Sequence, residues 1–291
     1  MSRALAAALE KLLAVQGSAA ATQFTLAQRR ELDSFARQTG ALRLITQGRG
    51  ASYQVTDMGL AKSHLEVLRP LAEAELDPSL PARANNIARM RDSKGRSYGH
   101  DTCYLLLKAI GSDVTWHRDS DVAFDVRKTT ATAGVAAIAI SAADDWHTAQ
   151  PIWLVENQAL FDRLDWLPIG AHGSVVYYGG QLSNLFLDWM AQRQRTEKVY
   201  FFPDYDGVGL LNYSRLIEKS RSPIEFWLMP DWLALLQKYG SNTVWEKTRR
   251  EFAAALVRLE THGMSPELAG LCAGLVSHGL ALEHEVVWLT A

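Results

Sequence analysis

The 291-residue chain has only two cysteines, Cys103 and Cys272, far apart and without partner motifs. Their scarcity excludes a disulfide framework and a cysteine zinc site and leaves both as packing residues. No apolar run approaches the roughly 18 residues a membrane span needs. The opening "MSRALAAALEKLLAVQG" spreads charges through an amphipathic pattern, unlike the unbroken apolar block of a signal peptide. A cytoplasmic protein without membrane contact is the expectation. Net charge is nearly absent at −2, so it argues neither for nor against a polyanionic partner. Apolar material is plentiful: with 48% hydrophobic and 21% charged residues the chain can build a core, and its length suits two modest domains.

Charge is unevenly spread. Residues 1–130 carry 18 Lys+Arg against 14 Asp+Glu, whereas residues 131–291 carry 12 against 18. This split fits a basic part, 1–130, that grips a polyanion, joined to an acidic part, 131–291, with a carboxylate-based metal site; chance variation of surface charge is the alternative. In the basic part, "TLAQRRELDSFARQTG" predicts a helix with Thr25 as its cap, Leu32, Phe35 and Ala36 on one face, and a stop at Gly40. "ALRLITQGRGASYQV" predicts a hairpin with Arg49 at its tip, between Gly48 and Gly50. A helix followed by such a hairpin resembles a winged helix, in which the helix enters the major groove and the wing touches phosphate. "ARANNIARMRDSKGRSYGHD" then gathers Arg83, Arg89, Arg91, Lys94 and Arg96 within fourteen residues that hold Asp92 as their one acid, the densest positive run in the chain and a set of candidate phosphate contacts. Residues 111–141 read as short strands and a connector.

The acidic part is more regular. "PIWLVEN", "GSVVYYGG", "KVYFFPDYD" and "PIEFWLMP" are apolar runs beginning about 24 residues apart, with helical patterns between them. Continuous apolar strands alternating with amphipathic helices predict an α/β fold with a parallel sheet covered by helices on both faces. Ligands of such sheets bind beyond the carboxyl ends of the strands. Those ends hold Glu156 and Asn157, then Gly179 and Gly180, then Asp204 and Asp206. Aspartates at strand ends are often no more than helix caps. Three carboxylates in one crevice, however, repel unless a hard cation such as Mg²⁺ or Mn²⁺ lies among them, and Gly207 and Gly209 would let the backbone approach a phosphate.

A Glu at one strand end followed by D-x-D two strands later resembles the Toprim domain of topoisomerases, primases and related nucleases. "VEN" at 155–157, "YYGGQ" at 177–181, "FFPDYDGVGLLNY" at 201–213 and "ALEHEVV" at 281–287 resemble, more narrowly, the Toprim nuclease subunit of Wadjet-type plasmid-defence systems. That family is related to the A subunit of type VI topoisomerase, and the likeness covers about 140 residues well. It implies a Toprim-like catalytic domain behind a winged-helix-like DNA-binding region, and a Mg²⁺- or Mn²⁺-dependent endonuclease of double-stranded plasmid DNA. It also implies an SMC-like ATPase complex as partner, and a homodimer is one assembly it allows. Carried over by position, Glu156 is the general acid/base or metal-adjacent glutamate, Asp204 and Asp206 are metal ligands, and Glu283 or Glu285 is a further carboxylate near the metal. The chain departs from the family at Pro203, where glycine is common, and at Glu283–His284–Glu285, where Glu-Gln-Glu is usual. The other histidines are scattered and read as surface or packing residues. Two alternatives stand: a topoisomerase-like transesterase with Tyr98, Tyr104 or Tyr53 as nucleophile, and a non-catalytic DNA-binding assembly subunit.

Overall fold

The computed structural model describes residues 3–48, 50–71, 77, 79–94, 100–119 and 122–290. The chain divides into two compact units, Met1–Gly99 and His100–Ala291.

In the first unit, helix α1 (Arg3–Ala14) buries Leu5, Leu9 and Leu12. A short strand β1 (Ser18–Ala20) leads to α2 (Leu26–Thr39). The predicted cap of α2 is present as a reciprocal box: the Thr25 hydroxyl accepts from Gln28 N at 3.2 Å, and Gln28 Oε1 accepts from Thr25 N at 2.9 Å. Gly40 ends the helix in the left-handed region at φ 68°. Strands β2 (Leu42–Gln47) and β3 (Gly50–Val55) form the predicted hairpin, and the antiparallel sheet runs β1-β3-β2. Helices α3 (Met58–Leu68) and α4 (Ala82–Met90) follow.

The second unit is built on a six-stranded mixed sheet. Its strands are β4 (Cys103–Ile110), β7 (Ala136–Ile140), β8 (Ile152–Val155), β9 (Gly173–Tyr177), β10 (Val199–Phe202) and β11 (Ile224–Phe226), in the order β11-β10-β8-β9-β4-β7. A separate hairpin, β5 (Thr115–Arg118) with β6 (Val122–Asp125), precedes α5 (Val126–Ala133). The four apolar runs are the parallel strands β8 to β11, as predicted. The sheet is not wholly parallel, because β4 pairs antiparallel with both β9 and β7. Strands β4 and β7 belong to the sheet of the second unit, and the two compact units divide at 99/100, whereas the sequence reading puts the boundary at 130.

Helices α6 (Gln158–Asp162), α7 (Asn184–Gln192) and α8 (Gly207–Lys219) connect the parallel strands. From β8 the chain steps to β9 on one side and later returns to β10 on the other. Right-handed crossovers therefore place α6 on the opposite face from α7 and α8. The latter two pack side by side, with Arg215 donating to Asn184 at 3.0 Å. Helices α9 (Trp232–Tyr239), α10 (Asn242–His262) and α11 (Pro266–His278) complete the unit.

Helix α10 lies so close to the start of α8 that a Cβ on Gly207 would sit 1.9 Å from Thr248 O and 2.6 Å from Phe252 N. A Cβ on Gly209 would meet Asp204 O at 2.0 Å. The sequence assigned these glycines to phosphate approach; here they permit backbone-to-backbone packing. Gly207→Ala should therefore destabilise the protein by about 3 kcal/mol. Gly270→Ala, in α11 with open space around its Cβ, should stabilise it by about 0.5–1 kcal/mol. Urea midpoints of the two variants check this, and a Gly207→Ala midpoint equal to the parent's would contradict the close approach.

Candidate functional site

Strand β10 ends at Phe202, and Pro203, lacking an N–H, turns the chain out of the ladder. Two residues on, the chain pairs again, with a distant segment: Tyr205 N donates to Leu282 O at 2.8 Å and Leu282 N to Tyr205 O at 3.0 Å. Tyr205 is fully buried, its hydroxyl donating to Trp227 O at 3.1 Å and accepting from Met229 N at 2.7 Å. This bridge carries residues 283–285 across the D-x-D motif. His284 N then donates to Asp204 Oδ1 at 2.9 Å.

Each of the three expected carboxylates is oriented by a hydrogen bond. Glu156, one residue past β8, accepts at Oε2 from the Tyr178 hydroxyl at 2.9 Å. Asp204 accepts from His284 N. Asp206 caps α8, its Oδ1 accepting from Gly209 N at 2.8 Å. Asp206 is thus both the helix cap and a member of the acid cluster, and it is only 7% exposed. Among the described residues, no Lys or Arg forms an ion pair with any of the three.

The electrostatic consequence is a uniform upward pressure on pKa. Burial, then the charge of Asp204, pushes the Glu156 carboxyl up to about 7, against the opposing hydrogen bond from Tyr178. Burial pushes Asp204 up to about 6, with Glu285 and Glu283 adding to it and the His284 N–H opposing. Burial also pushes Asp206 up to about 6, with Asp204 and, from α10, Glu251 adding to it.

The glutamate left open by the sequence resolves in favour of Glu285. Glu283 is exposed, whereas Glu285 is half-buried and accepts from Asn157 Nδ2. Asp204, His284 and Glu285 each offer a donor atom, all within 4.8 Å of one another, a grouping that does not include Glu156 or Asp206. His284 is the residue the sequence reading missed as a site member. Its ring is fully buried, and burial lowers its basicity. The only signal for it was its place between two acids. Tyr178 was likewise legible only as part of "YYGGQ". Gly179 and Gly180, with φ of 66° and 77°, make the turn that follows it.

The candidate phosphate contacts fare unevenly. Arg83, Arg91 and Lys94 are exposed. Arg89 is a correction: at 6% exposure it is a buried part of the first unit, not a surface contact. Asp92, the one opposing acid, is engaged by Arg3 Nη2 at 2.7 Å. Arg49, Arg96 and Tyr98 lie outside the described residues. Of the other candidate nucleophiles, Tyr53 is buried in the first unit's core, its hydroxyl donating to Asp33 at 2.7 Å; burial and that bond push it up to about 12. Tyr104 is 72% exposed on β4.

Because folding raises these carboxyl pKa values above their ordinary range near 4, the folded state binds protons more tightly than the unfolded one. Their contribution to stability is complete below about pH 4 and is lost as pH rises through 6 to 7. In chelator, Asp204→Asn keeps the acceptor for His284 N and removes the charge. Its stability relative to the parent should rise by about 1 kcal/mol between pH 5 and pH 8, read from paired thermal melts. A difference that stays flat with pH would mean the Asp204 carboxyl is unperturbed.

No family model matches the chain, and no curated protein matches it in sequence.

Proposed function

We propose that the protein is a Mg²⁺- or Mn²⁺-dependent endonuclease that hydrolyses phosphodiesters of double-stranded DNA. The observation that carries this reading is the cluster of Glu156, Asp204 and Asp206, the first two partly buried and Asp206 buried, without a Lys or Arg partner among the described residues. It lies at the carboxyl ends of β8 and β10, neighbours in the sheet from which the chain departs in opposite directions. Such a switch point leaves a crevice for a ligand. Like charges held together at this depth are disfavoured, and a divalent cation relieves them, so the residues present fit a hard metal ion.

Glu156, Asp204 and Asp206 would hold the ion. When bound, it supplies a water of lowered pKa and neutralises charge developing on phosphate oxygens. The protein's own share is orientation and proton handling. Tyr178 fixes Glu156, the His284 N–H fixes Asp204, and the Gly209 N–H fixes Asp206. A Glu156 carboxyl near neutrality in pKa is suited to take or return a proton at working pH.

The order helix, strand, helix, hairpin, with the sheet arranged β1-β3-β2, supports a winged-helix reading of the first unit. Exposed Arg83, Arg91 and Lys94 supply cationic side chains for phosphate. The plasmid substrate and an SMC-like ATPase partner rest on the resemblance of the Glu156, D-x-D and C-terminal motifs to the Wadjet-type nuclease subunit.

Asp206→Asn retains the cap of α8 while removing a charge. It should fold, melt in chelator at or above the parent temperature, bind DNA as the parent does, and lose plasmid cutting by at least roughly 100-fold. Cutting near the parent rate would overturn the ligand role. Replacing Arg91 and Lys94 together by Ala should weaken binding for every DNA sequence and reduce the slope of log K against log salt by about 2. An unchanged slope would assign those side chains to solvent alone.

A further inference from the structure

His284 makes a combination that the three-carboxylate reading does not use. Its imidazole is wholly buried, 5.3 Å from the Phe202 ring; the Pro203 backbone lies beside it, but neither ring nitrogen makes a hydrogen bond of full geometry. Nδ1 lies 3.3 Å from Asp204 Oδ1, and Nε2 lies 3.9 Å from Glu285 Oε2. An imidazole buried with both nitrogens unsatisfied is costly, and native proteins rarely tolerate it without a ligand.

We propose that His284 is itself a metal ligand, forming with Asp204 and Glu285 an ion position that selects Mn²⁺ over Mg²⁺. The inference rests on the metal reading above, but not on nuclease activity. The spacing comes close to what an ion needs: ligands about 2.1 Å from an octahedral ion lie about 3.0 Å apart when adjacent and about 4.2 Å apart when opposite. One donor atom from each residue, a single ring nitrogen in the case of His284, lies within 4.8 Å of the others, so the set needs to close only slightly on an ion. The segment is also held in place. The Tyr205–Leu282 bridge fixes the backbone one residue before Glu283, the His284 N–H is spent on Asp204, and Asn157 engages the Glu285 carboxylate. Oriented ligands of this kind are the usual support of a metal centre.

The chemistry of the donor sets the selectivity. Mg²⁺ is a hard ion that takes oxygen ligands and keeps several waters. An imidazole nitrogen suits first-row transition ions, and Mn²⁺ accepts it while still accepting carboxylates. Glutamine at this place would offer only a neutral amide oxygen, which does not discriminate in that way.

The test is metal binding by the full-length, metal-free chain, followed by calorimetry with Mn²⁺ alone and Mg²⁺ alone. The parent should bind Mn²⁺ at least about 10-fold more tightly than Mg²⁺, and His284→Gln should lose about 10- to 100-fold in Mn²⁺ affinity with Mg²⁺ nearly unchanged. Electron spin-echo modulation of the Mn²⁺-loaded parent should show coupling to a directly bound nitrogen. That signal needs no variant, so it decides the question even if His284→Gln fails to fold. Absence of nitrogen coupling, or an unchanged Mn²⁺ to Mg²⁺ ratio in a folded His284→Gln, overturns the proposal. A parent that binds Mn²⁺ through nitrogen yet never cuts DNA overturns the nuclease reading and leaves this inference standing. Cutting that persists with a metal ratio indifferent to His284 does the reverse.

Discussion

The site depends on the pairing of Tyr205 with Leu282. Two backbone hydrogen bonds join the middle residue of the D-x-D motif to a segment near the end of the chain. Tyr205 turns inward, anchored through its hydroxyl to the strand-end residues Trp227 and Met229, and Asp204 and Asp206 flank it in the acid cluster. The same bonds deliver His284 and Glu285 to Asp204. A second bridge, Ser241 with Ala281, holds the approach to this segment against the start of α10. Closing so long a loop carries an entropic cost, met by the core that surrounds Tyr205.

What the pairing assembles is a set of groups in conflict. Three carboxyls lie where burial disfavours charge, and every acid nearby pushes in the same direction. Elsewhere the protein handles buried charge differently. Arg195, almost fully buried, gives its guanidinium to the Trp189 and Trp146 carbonyls and lies over the Trp189 ring. The contrast is informative, because a chain able to satisfy one buried ion so completely leaves the acids at the strand ends uncompensated. Local rules are broken in this way at functional sites, where the stability lost is recovered when the ligand binds.

Much of this was legible because strand ends are local features. The apolar runs marked β8 to β11, and the acids following them marked the crevice, since both depend on residues adjacent in sequence. Strand direction is another matter: "CYLLLKAI" is an apolar run like those of the parallel strands, and nothing in it says that it runs against β9. Charge counting then assigned it to the basic half, because a boundary drawn from surface composition does not see a sheet that recruits a strand from across it. Arg89 shows the same limit on a smaller scale. Its neighbours Arg83 and Arg91 are exposed, and only the packing of α4 turns it inward. His284 was hidden because its significance comes from the long-range bridge and not from any pattern around it.

An aromatic layer runs from the strands to His284 and Tyr205. Phe202 meets Trp227 at 4.5 Å, Trp166 at 5.1 Å, His284 at 5.3 Å and Tyr205 at 6.1 Å between ring centroids. Trp153 continues the layer, stacked on Tyr200 at 4.3 Å and edge-on to both Trp166 and Trp227. Rings packed at these distances exclude water, and through Phe202 the layer reaches the buried His284 ring beside Asp204. The burial that disfavours the clustered charges strengthens each electrostatic interaction made among them. A cation that neutralises the carboxylates, and a phosphate that meets the cation, would interact more strongly here than at an open surface. The aromatic layer and the acid cluster meet at His284, whose ring packs on Phe202 while its backbone N–H orients Asp204.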